Sequence, residues 1–176
     1  MTAPEFSRPV ALDSVGEGAR AIEVEAGADE RAALAARFGF RSIEALSAEL
    51  RLSRRPEAVF AEGRLHARVV QSCVVTGEDV PSAVDEAFAI RFLPEGEATP
   101  ANEDVELSAD ECDTVFYAGG AIDVGEAVAE TLALALDPFP RSPDADAALR
   151  DAGVLSEEDA GPFAALKALK EKMGKT

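Results

Sequence analysis

The chain lacks most of the residue patterns that mark a secreted, membrane-spanning or metal-binding protein. Its 176 residues include two cysteines, one histidine and no tryptophan. Two cysteines cannot build a disulfide framework or supply the four ligands of a structural zinc site. No apolar run approaches the roughly 18 residues of a membrane span, and the N-terminal sequence MTAPEFSRPV lacks the regions of a secretory signal. We therefore expect a cytoplasmic protein with two free thiols, Cys73 and Cys112, and with no metal or cofactor.

Positive charge is also scarce, and it is unevenly distributed. The chain has 34 acidic and 17 basic residues, which gives a formal net charge of -17 at pH 7. Residues 71–140 contain sixteen acidic residues and a single basic one, Arg91, whereas residues 1–70 are nearly balanced. A field of that sign repels polyanions and favours basic partners. Any contact with nucleic acid must then come from the N-terminal half or from the C-terminal tail.

The clearest structural pattern is a period of two within residues 59–92. Apolar side chains alternate with polar ones in both halves of this range, which is typical of half-buried strands. Between the halves, residues 76–79 read Thr-Gly-Glu-Asp and supply a turn. The pattern predicts one long antiparallel hairpin.

Shorter segments predict the elements that accompany this hairpin. Alternation in 19–25 and 46–53, and the sequence of 113–117, indicate three further strands. A helix is predicted over 28–38, with acidic residues in its first turn and a glycine at its end. A second helix is predicted over 123–136.

The start of this second helix carries a capping signal. Asp123 is placed to cap the helix, and Glu126 follows at the spacing of a capping box. Pro138 and Pro140 end the helix.

These elements predict an α+β fold, an antiparallel sheet or partial barrel built on the long hairpin with helices covering one side. We expect a single domain over residues 1–140 and a linker over 141–160, where Ser, Pro, Asp and Ala dominate. Residues 161–176 are predicted to form an amphipathic helical tail. The acidic segment 94–111 is predicted to be a loop.

Basic side chains on the outward phase of the predicted strands, together with Arg54 and Arg55 where the strand over 46–53 ends, are the candidate contacts to RNA: Arg51, Arg54, Arg55, Arg64, His66 and Arg68. On neighbouring strands they would form a basic strip. The alternative is a solvated sheet face whose arginines pair with nearby acids such as Glu49 and Glu62. Charge alone leaves both interpretations open.

Two further observations concern catalysis and partners. His66 is the only histidine, and no serine or cysteine lies in a recognisable nucleophile motif, so we expect no enzymatic activity. The tail offers an apolar stripe with lysines, which suits docking on the domain or on a partner. Its candidate contacts are Phe163, Leu166, Lys167, Leu169 and Lys170.

A series of short motifs, spread over roughly residues 40–172, occurs in a fixed order. They are Gly63-Arg64-Leu65, Gln71-Ser72-Cys73, Phe88, Phe92, Asp113 to Tyr117, Ile122 to Glu126, Glu130, Leu134-Ala135-Leu136, Pro138 to Pro140 and Pro162 to Leu166. Together they resemble the YceD family, the large ribosomal RNA subunit accumulation proteins. Many members have Cys-x-x-Cys where this chain has Cys73 to Thr76, and several have a histidine in place of Arg141. Those departures argue against a metal or redox role here.

The resemblance implies a bacterial, non-enzymatic factor needed for normal levels of large-subunit (23S) ribosomal RNA. Two partners are compatible with that role: precursor ribosomal RNA or a large-subunit assembly intermediate, bound through the outward arginines, or a basic ribosomal protein or assembly factor, bound by the acidic surface. We expect no membrane contact and no small-molecule substrate.

Overall fold

The computed structural model describes residues 4–56, 58–95 and 113–154. The strands are β1 (Pro9–Ala11), β2 (Arg20–Glu25), β3 (Ser42–Arg55), β4 (Ala58–Ser72), β5 (Asp79–Pro94), β6 (Asp113–Tyr117) and β7 (Ala121–Asp123). The helices are α1 (Ala28–Phe38), α2 (Val124–Ala135) and α3 (Ala145–Asp151), with a short 3-10 helix at Leu12–Ser14.

The long hairpin is confirmed, and it forms the centre of a five-stranded sheet. The strand order is β2-β3-β4-β5-β6, and β2, β3 and β4 pair antiparallel. The turn between β4 and β5 contains Gly77 with a φ of 73°, a left-handed conformation that glycine adopts without strain. Because the order runs from β2 at one edge to β6 at the other, the described strands form an open sheet.

The α+β class is confirmed, although two details differ from the antiparallel expectation. Strand β6 pairs parallel to β5, which requires a long connection, and residues 95–112 separate these strands. A second sheet, of two strands, joins β1 to β7. Three-residue strands are too short to show a periodicity, so this pairing has no signal in the sequence.

One face of the large sheet is covered and forms the core. Helices α1 and α2 and the inward residues of the strands share a single hydrophobic cluster. Its largest fully buried side chains include Phe6, Phe92, Leu34, Leu65 and Leu132. Helix α1 ends at Gly39 in a left-handed conformation, as its sequence predicts. Burial of these apolar side chains is the main stabilising contribution to the fold.

The chain divides into two compact units. The first comprises residues 1–71 and 81–138 and holds both sheets with α1 and α2. The second comprises residues 72–80 and 139–176, and its described part holds the turn after β4 and helix α3. Helix α3 lies in the range predicted as a linker. The predicted tail helix 161–176 and nearly all of the acidic segment 94–111 lie outside the described residues.

Candidate functional site

The face of the large sheet opposite the core carries most of the basic candidates, on the outward side chains of β3 and β4. We call this surface, formed by the outward side chains of β2 to β5, the outer face. The strand register places Glu49 opposite Arg64 and Arg51 opposite Glu62. Basic and acidic side chains therefore alternate across neighbouring strands, which is the favourable arrangement for cross-strand pairs.

Arg64 and His66 share one carboxylate on the next strand. The Arg64 guanidinium pairs with Asp85 of β5, and His66 Nδ1 lies 3.5 Å from the same Asp85 oxygen. All three side chains are exposed, as the outward phase of His66 predicts for that residue. The two candidates thus lie side by side, facing an acid that the sequence alone does not associate with them.

Arg68 lies beside Glu44, an acidic residue at a β-bulge in β3. The β3–β4 register shifts between Ile43 and Ala45, so that Glu44 is the extra residue. Its carboxylate lies 3.6 Å from Arg68 Nε, and both side chains are more than half exposed. A β-bulge of this kind redirects a side chain, and here it leaves an acid beside the arginine.

The remaining arginines of the predicted strip lie at the end of β3 and make local contacts. Arg54 Nη1 donates to the Leu12 carbonyl at 3.0 Å. The Arg55 guanidinium lies 4.4 Å from the centroid of the Phe60 ring, within the range of a cation–π contact. The structure therefore brings the six candidates onto two adjacent strands, but with carboxylates, a carbonyl and an aromatic ring among them.

A shallow open trough of about 660 Å³ lies over the middle of β2, β3 and β4. Its charged lining residues are Glu23, Glu49, Glu62, Arg51 and Arg64. Across β2 and β3, Glu23 stands directly opposite Glu49, and like charges in that position are mutually destabilising. The trough therefore carries three carboxylates against two guanidinium groups.

The thiol of Cys73 lies in the second unit, buried among backbone donors. Its sulfur accepts N–H groups from Ser142 at 3.2 Å, Thr76 at 3.3 Å and Val75 at 3.4 Å. Burial alone would raise the pKa of Cys73, but the hydrogen bonds from Ser142 and Thr76 outweigh it and lower the pKa to about 6. Cys112 lies outside the described residues. Among the residues that are described, no three His, Cys, Asp or Glu side chains are grouped as metal ligands would be.

Asp123 connects the N-terminal segment to α2. Its Oδ1 accepts the N–H groups of Gly125 and Glu126 at 3.0 and 3.1 Å, so the predicted cap is present. The same carboxylate accepts the Arg8 N–H at 2.8 Å and pairs with the Ser7 hydroxyl. The Asp123 side chain thus caps α2 and binds the N-terminal segment at Ser7 and Arg8.

Two ion pairs link α1 to the N-terminal segment and to α2. Arg8 holds Glu30 of α1 through both carboxylate oxygens, at 2.7 and 2.8 Å. The pKa of Glu30 is lowered, first by Arg8 and then by the Gly27 N–H. Glu126 does not complete the expected capping box; its carboxylate binds Arg37 of α1 at 2.7 Å, because an opposite charge lies within reach.

Comparison with protein-family models gives a match over residues 61–170. The matching model is described as "Large ribosomal RNA subunit accumulation protein YceD". The chain belongs to the YceD family. The YceD match includes β4, β5, β6 and α2, together with Arg64, His66 and Arg68. The matched range does not include helix α1 or the three arginines of β3, Arg51, Arg54 and Arg55.

Neither the curated proteins nor the solved structures include a match to this YceD chain. None of the helices in the described part of the chain is long and apolar enough to cross a membrane. The five candidate partner contacts of the tail, Phe163, Leu166, Lys167, Leu169 and Lys170, lie outside the described residues and stay predictions.

Sequence reasoning names Glu49 and Glu62, which lie opposite arginines in the sheet, but it misses Asp85 and Glu44. Asp85 lies 21 residues from Arg64 along the chain, and Glu44 reaches Arg68 only through the bulge. Alternation along a single strand gives the face of a side chain but not its neighbour on the next strand. The alternating charges at positions 49, 51, 62 and 64 were the one available signal that the strip would be mixed.

Proposed function

We propose that this YceD protein is a non-enzymatic ribosome biogenesis factor needed for accumulation of the large-subunit (23S) ribosomal RNA. It acts in the bacterial cytoplasm on a large-subunit assembly intermediate. The family description supports the link to this RNA. The mixed charges of the outer face support a binding role, since paired opposite charges suit the recognition of a charged partner.

The contact that the geometry favours is with a basic protein of that intermediate. The observation that carries this choice is the matching of the outer-face arginines: Arg64 pairs with Asp85, and Arg68 lies beside Glu44. Affinity for RNA depends largely on Lys and Arg at phosphates, and each of these acids would repel a phosphate brought to its arginine. The net charge of -17 attracts a basic partner instead.

The trough adds to the preference for a basic partner. A lysine or arginine side chain placed between Glu23 and Glu49 would relieve the repulsion between them. Opposite charges across an interface accelerate association and select partners more than they add to affinity. A transient assembly factor needs this kind of recognition because it must leave the finished particle.

Precursor ribosomal RNA is the second candidate for the direct contact. Its support is the exposure of the arginines, since Arg64 and Arg68 side chains are 54% and 66% exposed. Exposed ion pairs contribute only about 0.2 to 1 kcal/mol, so a phosphate can take the place of a carboxylate. Arg51, Arg54 and Arg55 would extend the contact along β3.

Depletion of the protein, followed by profiling of ribosomal particles, tests the role itself. We expect the free large subunit and its RNA to fall while the small subunit persists. Unchanged large-subunit RNA would refute the proposed function.

A pull-down at low salt separates the two direct contacts. Purified wild-type protein should retain basic ribosomal proteins from nuclease-treated large-subunit precursors, and Glu23→Lys/Glu49→Lys should weaken that retention. Replacement of Arg51, Arg54 and Arg55 by Glu is the matched variant for RNA. If this triple variant alone loses the precursor, and nuclease treatment abolishes binding by the wild type, then RNA and not protein is the direct contact.

A further inference from the structure

A second concave surface lies on the first unit between α1 and the start of β3. This groove, which we call the α1 groove, has a volume of about 380 Å³. Its floor is apolar and includes Ala32 and Ile43, while Arg31, Phe40 and Arg41 also line it. The α1 groove precedes residues 61–170, so the family match does not account for it.

The charge of the α1 groove differs from that of the trough on the outer face. Both charged residues among those that line it are arginines, and none of the described lining residues is acidic. The trough on the outer face, by contrast, mixes three carboxylates with two guanidinium groups. In a chain with a net charge of -17, the lining of this groove is therefore locally positive.

The walls of the α1 groove are held by backbone hydrogen bonds. The Phe40 N–H donates to the Ala35 carbonyl of α1 at 2.9 Å, and the Arg41 N–H donates to the Val70 carbonyl of β4 at 2.8 Å. Arg31 Nη1 donates to the Ala26 carbonyl at 2.6 Å. A guanidinium has five N–H donors, so this bond leaves Arg31 with further donor capacity. The groove is thus formed before a ligand arrives, which reduces the entropic cost of binding.

We propose that the α1 groove binds one nucleotide of single-stranded ribosomal RNA, with Arg31 and Arg41 at the phosphate and Phe40 beside the base. Guanidinium groups match phosphate oxygens in pairs, and unstacked RNA bases are commonly held against aromatic rings. The volume lies within the range of about 300 to 1,000 Å³ that is usual for small-ligand sites. This contact rests on the proposed function for its choice of ribosomal RNA, and it assigns RNA to a different surface from the basic protein.

Charge complementarity alone would also admit an acidic peptide. The aromatic wall favours RNA, because a base has a flat face that stacks on a ring whereas a carboxylate side chain has none. Phe40 is half-buried and lies 5.7 Å from the Phe38 ring, centroid to centroid, so an aromatic contact supports its ring. A supported ring beside two guanidinium groups is suited to stacking.

The test is fluorescence anisotropy of the full chain with labelled oligoadenylate of about ten nucleotides, within the usual site size of single-strand binding proteins. Arg41→Glu and Ala32→Glu are the main variants: the first reverses a charge, and the second adds a carboxylate at an exposed lining position while keeping both arginines. Arg150→Glu on α3 is the matched control, because Arg150 is exposed and lines neither the α1 groove nor the trough. We expect each groove variant to lose about tenfold or more in affinity, and the control less than twofold.

Phe40→Leu separates stacking from charge, since it keeps an apolar side chain and both arginines. We expect a loss of about fivefold or more for oligoadenylate, because stacking of one base on an aromatic ring has that order of effect. Circular dichroism melting accompanies each variant. If Phe40→Leu unfolds, Arg41→Glu and Ala32→Glu decide the outcome, because both positions are exposed.

The proposal is overturned if the groove variants weaken RNA binding no more than Arg150→Glu does. It is also overturned if wild type binds a polyglutamate peptide through the groove and does not bind the RNA. Sedimentation with large-subunit precursors distinguishes this failure from that of the proposed function. Wild-type protein that sediments with precursors but ignores oligoadenylate refutes the groove alone, whereas groove-dependent RNA binding without sedimentation refutes the proposed function alone.

Discussion

Replacing Gly125 by alanine should destabilise the protein, although the same change in most helices is stabilising. A Cβ atom at this position would lie 2.4 Å from the Phe6 carbonyl oxygen and 2.9 Å from the Arg8 nitrogen. Both are backbone atoms, so the clash cannot be relieved by rotating a side chain. The N-terminal segment must retreat by about 1 Å to restore ordinary contact distances.

The interactions that this retreat would break determine the size of the effect. Phe6 is fully buried, and full burial of a phenylalanine contributes about 1.5 to 3 kcal/mol. The 2.8 Å hydrogen bond from the Arg8 N–H to Asp123 contributes about 1 kcal/mol, and the partly exposed Arg8–Glu30 pair adds less. Against these stands a gain of about 0.5 to 1 kcal/mol for alanine over glycine in a helix. We expect a net decrease of roughly 2 to 4 kcal/mol in the free energy of unfolding.

Equilibrium urea unfolding measures this decrease, with Gly18→Ala as the control because nothing lies within 4 Å of a Cβ added there. The double variant Phe6→Ala/Gly125→Ala should be destabilised by less than the sum of the single variants, since both act on the same segment. A Gly125→Ala protein as stable as the wild type would refute the close approach of the segment to α2.

Three further predictions concern single side chains. Asp123→Ala should lower the free energy of unfolding by about 2 kcal/mol, because it removes the cap and the acceptor of the Arg8 N–H. Asp123→Asn keeps an acceptor, so it should lower the free energy of unfolding by less in the same urea assay. Gly63→Ala should lower the free energy of unfolding by about 1 to 3 kcal/mol, because the Cβ atom of the alanine would lie 2.4 Å from the Glu49 carbonyl oxygen. In a Cys112→Ser chain, the ultraviolet absorbance of the Cys73 thiolate should titrate near a pKa of about 6, below the ordinary 9.0. Folding lowers this pKa, so the thiolate stabilises the protein fully above pH 9.0, and this stabilisation is lost as pH falls towards about 6. The control is a Cys73→Ala/Cys112→Ser chain. If its free energy of unfolding differs from that of the Cys112→Ser chain by the same amount at every pH, the prediction is wrong.

The elements that the sequence predicts correctly are those with a regular period and clear ends. The hairpin is predictable because alternation runs through both strands and a glycine-containing turn separates them. Helix α1 is predictable to its limits because acidic residues begin it and Gly39 ends it. The parallel pairing of β6 is not predictable, since the alternation of a strand is the same in both orientations.

The charge relations of the candidate site are less predictable than its strands. The alternation places Arg64 on the outward phase, but its partner Asp85 depends on the alignment of β4 with β5. The spacing places Glu126 at the capping-box position, but Arg37 of another helix binds it. Local spacing determines which group is available to pair, and tertiary structure determines the group that it meets.

The distribution of charge is compatible with the proposed action of an acidic protein on an RNA particle. At physiological ionic strength, charges separated by more than about 8 Å are largely screened, so a phosphate bound in the α1 groove as proposed would interact mainly with Arg31 and Arg41. At low salt the carboxylates of residues 71–140 repel the same RNA from further away. Lowering the salt therefore strengthens both the local attraction and the distant repulsion, and RNA binding should depend on salt less steeply than for a basic protein making the same contacts. A basic ribosomal protein is attracted by both near and distant acids, so its binding should weaken steeply with salt. The two salt dependences distinguish the surfaces without any substitution in the chain.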